Sequence, residues 1–170
     1  MHTTLIVLRF IHIVSGVFWA GTGLFLAIFL LPAIRALGPD GGKVAQYLVG
    51  KRKMPVYLGI VAGLTILSGL LLYWRDSSGT NGAFMRSRPG MTYALGAVAA
   101  IVAASMTGRN GAIAKRLGAL GEGVRASGGP PSPEQSATMS NLQNKLVFNA
   151  QVGATMAFIA IASMAVARYL

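Results

Sequence analysis

The chain has 170 residues, 54% hydrophobic and 11% charged, with fifteen Lys and Arg against four Asp and Glu for a formal net charge of +11. Soluble domains carry about 25% charged residues, so this allocation does not build a water-facing shell, and the length fits a single domain. The absence of cysteine excludes disulfides, thiolate metal sites and cysteine nucleophiles, and no basic stripe with interleaved aromatics lies in a polar region, which argues against nucleic acid.

The first apolar run extends from Leu5 to Leu31 and is expected to close at Pro32. At 1.5 Å per residue it reaches about 40 Å, enough to cross a hydrocarbon core of about 30 Å with tilt. A cleaved signal peptide has an apolar region of about 7–15 residues, so this run reads as a retained span. In the connection that follows, Asp40 is expected to cap a short helix through Lys43, Val44, Tyr47 and Leu48, followed by Lys51, Arg52 and Lys53. An amphipathic helix on the lipid surface and a plain connector both satisfy that pattern.

The second run, about Pro55 to Trp74, places proline in a first turn and Tyr73 and Trp74 at an interface. A polar connection leads from Asp76 to Arg88. The third run begins at Pro89, continues through Met106, and keeps helical composition past Arg109, Lys115 and Arg116 to about Leu120. Glu122 to Ser140, with Gly128-Gly129-Pro130-Pro131 and Pro133, reads as a mobile loop. The fourth run covers about Leu146 to Ala167. The expectation is therefore an all-α fold, an integral membrane four-helix bundle in one domain spanning residues 1–170, with the lipid bilayer as its solvent.

Arg35, Lys43, Lys51, Arg52, Lys53, Arg109, Lys115, Arg116, Arg125 and Lys145 fall on one side, and Arg9, Arg75, Arg86, Arg88 and Arg168 on the other, ten against five. The positive-inside bias then puts both termini on the outer, periplasmic side of a bacterial cytoplasmic membrane.

Lipid tails are as apolar as leucine, so small residues that allow close backbone approach mark helix contacts. Gly96, Ala100, Ala104, Gly108 and Ala112 recur every four residues on the third run. Gly59 and Gly63 form a GxxxG on the second, Gly16 pairs with Ala20 on the first, and Ala150 with Ala154 on the fourth. These faces fit one compact bundle, and they fit a homodimer or a larger membrane complex equally. Asn149 and Gln151 are expected to hydrogen-bond across helices.

His12 is the one histidine well inside a span, a helical turn from Arg9. An ionisable group inside a membrane is costly and tends to face the bundle interior, which makes it a candidate ligand. A neutral His12 hydrogen-bonded within the bundle, with Arg9 snorkelling to the interface, accounts for the same two residues. No Asp or Glu falls inside a span, so a carboxylate pair or a carboxylate proton relay has no residues to use, and neither H-E-x-x-H nor a nucleotide-binding glycine motif occurs.

The segment His12-Ile13-Val14-Ser15-Gly16-Val17-Phe18-Trp19-Ala20-Gly21 resembles the first membrane helix of the copper-resistance-protein-D-like and membrane protoporphyrinogen-oxidase-like superfamily, and still more closely the small bacterial integral membrane proteins related to it. Leu31-Pro32-Ala33, Ala36-Leu37-Gly38-Pro39 and Ser68-Gly69-Leu70-Leu71-Leu72-Tyr73-Trp74 extend the likeness over roughly half the chain. The resemblance implies that His12 is an axial ligand of haem b or a related tetrapyrrole, with Arg9 available to a propionate and Trp19 packing deeper. The role implied is electron transfer or tetrapyrrole redox chemistry; a non-enzymatic scaffold or accessory subunit is the alternative. The chain departs from the oxidase branch in having no lysine in its third span before Lys115, and it has no second intramembrane histidine. A second axial ligand is then a methionine (Met164, Met156 or Met91), a histidine of a second copy, or none.

Overall fold

The computed structural model describes residues 2–170. Seven helices follow one another: α1 (His2–Phe25), α2 (Leu31–Ala36), α3 (Pro39–Gln46), α4 (Met54–Ser78), α5 (Ala83–Arg86), α6 (Arg88–Ala126) and α7 (Pro133–Ala167), with π turns at Leu26–Leu30 and Tyr47–Lys51 and no strand among the described residues. Four helical stretches are long and apolar enough to cross a membrane: Thr3–Ala36, Met54–Ser78, Arg88–Ala126 and Pro133–Ala167.

Pro32 does not end the first span. The helix continues to Ala36 through the π turn, where Leu31 N–H donates to the Leu26 carbonyl. Proline removes one N–H and crowds the carbonyl four residues back, and the wider π turn just before it accommodates both effects. Beyond Ala36 the chain reverses at Gly38, whose φ of +54° favours glycine, and α3 folds back on α2. Gly41 makes that approach feasible, since a Cβ there would overlap the Ile34 carbonyl. Asp40 does not cap α3 as expected: the N-cap is Gly38, and the carboxylate pairs with Lys43 at 2.7 Å instead.

Pro55 and Pro89 stand in the first turns of α4 and α6, as their fixed φ and missing N–H favour. Ser87 caps α6, accepting from Gly90 N–H at 3.2 Å. The short α5 sits between α4 and α6 through an aromatic file, with Tyr73 edge-on to Phe84 at 5.7 Å and Phe84 stacked on Tyr93 at 6.3 Å.

The expected mobile loop is much shorter than Glu122 to Ser140. Helix α6 runs on to Ala126 and α7 starts at Pro133. A reciprocal capping box fixes that start: Ser132 Oγ accepts from Gln135 N–H at 3.1 Å, and Ser132 N–H donates to Gln135 Oε1 at 2.9 Å. At 1.5 Å per residue the 39-residue α6 is about 58 Å long and the 35-residue α7 about 52 Å, so their antiparallel hairpin exceeds a 30 Å core by about 22–28 Å.

Glycines set the register of the bundle. A Cβ on Gly96 would lie 3.1 Å from Ser163 Cβ and from Met164 Cε, and one on Gly153 would lie 3.2 Å from Met106 Cβ, so α6 and α7 run antiparallel in close contact. A Cβ on Gly16 would meet Thr65 Cγ2 at 3.4 Å, aligning α1 with α4. Trp19, Ala20, Leu58, Ala62, Ala103 and Ala157 form the central core where all four long helices meet. Large side chains such as Ile6, Phe10, Ile13, Val17 and Phe18 point outward from α1, as a lipid-facing surface requires.

The small-residue stripe turns partway along α6. Gly96, Ala99 and Ala103 are buried, whereas Gly108 and Ala112 are exposed. The GxxxG of α4 is not a contact within the chain, because added Cβ atoms at Gly59 and Gly63 would meet nothing within 4 Å.

Candidate functional site

Three of the buried polar side chains, Ser15, Thr65 and Ser68, lie with His12 on the seam between α1 and α4. His12, half-buried, faces α4 one turn from Ser15, and α4 presents Thr65 and Ser68, both buried. His12 Nδ1 lies 2.8 Å from the Thr65 carbonyl oxygen. A carbonyl only accepts, so Nδ1 carries a proton and donates, and in the neutral ring Nε2 then holds the lone pair. Ser68 Oγ donates to the Leu64 carbonyl at 2.5 Å and lies 3.5 Å from His12 Nδ1. Ser15 Oγ donates to the Ile11 carbonyl at 2.6 Å, which leaves its lone pairs to accept from Thr65 Oγ1 at 2.9 Å. Ser15 and Ser68 thus donate to carbonyls of their own helices, and the single Thr65 hydroxyl proton, with the Val61 carbonyl also within 2.8 Å, supplies the link between the spans. Such interhelical bonds in membrane proteins contribute about 0.6–2 kcal/mol each.

Gly69 is the floor under the imidazole. A Cβ there would lie 2.7 Å from His12 Cε1 and 3.0 Å from Nδ1. Glycine at 69 and the carbonyl of Thr65, one turn earlier, together define where the ring sits. Neither is evident from His12 and its immediate neighbours in the sequence. A polar Thr-x-x-Ser-Gly run in an otherwise apolar span is the signal that could have found it.

The other expected site residues go elsewhere. Arg9 is exposed one turn nearer the N-terminus. Trp19 is 5% exposed, and its indole N–H donates to Thr107 Oγ1 of α6 at 3.3 Å, so it pins α1 to α6 and does not share the His12 seam. Met164 packs its methyl group against Gly96. Met156 borders the central core and Met91 is exposed. The structure therefore unites His12 with Ser15, Thr65, Ser68 and Gly69, leaves Arg9 exposed, and commits Trp19 and Met164 to other contacts. An open cleft of about 690 Å³ at the N-terminal end of the bundle is lined by Leu5, Trp74, Arg75, Asp76 and Phe84, without His12.

Polar contacts recur where the hairpin leaves the bundle. Arg35 donates to Asn144 Oδ1 at 2.6 Å, Arg125 to Gln46 Oε1 at 2.7 Å, and Asn110 Nδ2 to the Leu146 carbonyl at 3.2 Å. The first two bonds tie the hairpin to α2 and α3 and the third joins α6 to α7, while the side chains of Asn149 and Gln151 make no hydrogen bond among the described residues. No group of three or more His, Cys, Asp or Glu side chains converges to hold a metal ion among the described residues. Compared with models of known families, with curated proteins and with solved structures, the chain matches none.

Proposed function

We infer that this is a multi-pass protein of the bacterial cytoplasmic membrane, with both termini outside, that carries a b-type haem on the α1–α4 seam through His12. The observation that carries the reading is the hydrogen bond from Nδ1 to the Thr65 carbonyl. Histidine ligands commonly donate the other ring N–H to a carbonyl or carboxylate, which holds the ring and raises the basicity of the ligating nitrogen. His12 is oriented in that way with no substrate or ion needed to hold it.

The residues fit one axial position. Thr65 fixes the tautomer, Gly69 sets the depth of the ring, and the Ser15–Thr65 link clamps the two spans that carry them. A haem held there would take His12 as its ligand from the seam, since Met164 packs against Gly96, Met156 borders the central core and Met91 is exposed. Bound haem supplies one-electron redox chemistry, and the protein contributes ligation and exclusion of water. Expression with haem supplementation, purification in detergent and a reduced-minus-oxidised spectrum test the reading: a b-type band is expected, and a flat difference spectrum rejects it.

A second reading, a non-enzymatic scaffold or accessory subunit, is favoured by one observation. The α6–α7 hairpin extends well past the membrane core and presents charged side chains such as Lys115, Arg116 and Glu122 to solvent. A partner that co-purifies with the full chain and is lost when Lys115 and Arg116 are replaced by Glu supports it; an unchanged partner profile counts against it.

A further inference from the structure

At the end of the α1–α4 seam away from the termini lies a groove of about 370 Å³, within the range of about 300–1,000 Å³ typical of ligand sites. Its lining combines the apolar side chains of Phe18, Leu48, Met54 and Leu58 with Thr22 and Tyr57, and its mouth carries Lys51 and Arg52. Phe18 and Leu58 belong to helices long and apolar enough to span a membrane, whereas Lys51 and Arg52 lie in the connection between them. The groove therefore runs from a partly apolar stretch at span depth to a cationic end.

The backbone holds those cations together. The π turn Tyr47–Lys51 closes with Arg52 N–H donating to the Tyr47 carbonyl at 3.0 Å, and the chain enters α4 through Lys53 in the left-handed region at φ +50°. The Lys43–Asp40 pair is the one ion pair among the described residues, so neither Lys51 nor Arg52 has a carboxylate partner there. Two unpaired cations above a partly apolar trough match an acyl chain lying along Phe18 and Leu48 with a phosphate at the mouth. A soluble anion uses only the mouth, and an acidic protein segment has no reason to enter an apolar trough at span depth.

We propose that this groove is a binding site for one anionic phospholipid, its phosphate held by Lys51 and Arg52. A cation near an anionic lipid surface contributes about 1 kcal/mol, so removing two weakens retention roughly thirtyfold. The test is native mass spectrometry of the full-length protein, delipidated in detergent and then exposed separately to phosphatidylglycerol, to phosphatidylcholine and to inorganic phosphate. The wild type is expected to retain one phosphatidylglycerol, with little phosphatidylcholine and no phosphate. Lys51→Gln with Arg52→Gln is expected to lose that retention roughly thirtyfold, while Arg86→Gln with Arg88→Gln at the other end leaves it unchanged. Thr22→Phe, which fills the trough without changing charge, is expected to expel the lipid as well. Equal retention of both lipids, an adduct with phosphate alone, or undiminished phosphatidylglycerol in the Lys51/Arg52 variant overturns the proposal.

Discussion

The imidazole of His12 rests on Gly69, so close that a methyl group at position 69 would sit 2.7 Å from Cε1. Replacing Gly69 by Ala therefore drives the ring off the Thr65 carbonyl or parts α1 from α4. Overpacking of this kind destabilises by about 1–3 kcal/mol. Gly59→Ala on the same helix meets open space and is expected to be neutral or slightly stabilising. Thermal unfolding in one detergent compares them; equal midpoints for the two variants would contradict the close His12–Gly69 packing.

The two tryptophans sit in opposite environments, Trp19 at 5% exposure and Trp74 at 68%. In Trp74→Phe the remaining emission is expected to be blue-shifted and protected from acrylamide, while Trp19→Phe leaves a readily quenched signal. Truncation to Trp19→Ala removes a core aromatic and the bond to Thr107, with an expected loss of about 3–5 kcal/mol. Trp19→Phe keeps most of the packing and forfeits the hydrogen bond, at about 1 kcal/mol.

Gly96 lies under Ser163, Met164 and the Ala160 carbonyl. A leucine there has no room unless α6 and α7 separate, so Gly96→Leu is expected to destabilise the isolated protein, as read by midpoint or by loss of a monodisperse peak in size exclusion. Gly63→Leu, on the open face of α4, is expected to leave the isolated chain intact. A stable, monodisperse Gly96→Leu protein would refute the α6–α7 register.

The turn joining α6 to α7 lies between Ala126 and Pro133. A protease-recognition insert after Gly129 is expected to be cleaved with both helices retained and the unfolding midpoint little changed. The same insert after Ser140 interrupts α7 and is expected to lower the midpoint. Equal tolerance at both positions would restore the longer loop.

Hydropathy alone marks the four long helices, because crossing a bilayer takes about 20 apolar residues in a row and few other folds use such runs. Which face of each helix meets protein is far less legible. Leu and Phe are equally content against lipid or against a neighbour, so only small and polar residues carry that information. Gly96 is read correctly for this reason, yet Gly59 and Gly63 carry the same pattern and face outward. The capping box at Ser132 and Gln135 is written in the sequence, but the neighbouring Gly-Gly-Pro-Pro outweighs it in a linear reading. Pro32 stops a helix by local rules and is tolerated here because a π turn precedes it. His12 stands out by itself. Its partners do not, since one is a backbone carbonyl and the other is the absence of a side chain.

Ligation by His12 Nε2 is tested most directly by titrating hemin into the apo wild-type protein and into His12→Ala in the same detergent, following the Soret band, with free imidazole added back to the variant. The wild type is expected to saturate at a fixed stoichiometry, His12→Ala to bind at least tenfold more weakly, and imidazole to restore the wild-type spectrum. Superimposable titrations of the two proteins, or a wild type that gives no bound spectrum, would contradict the account.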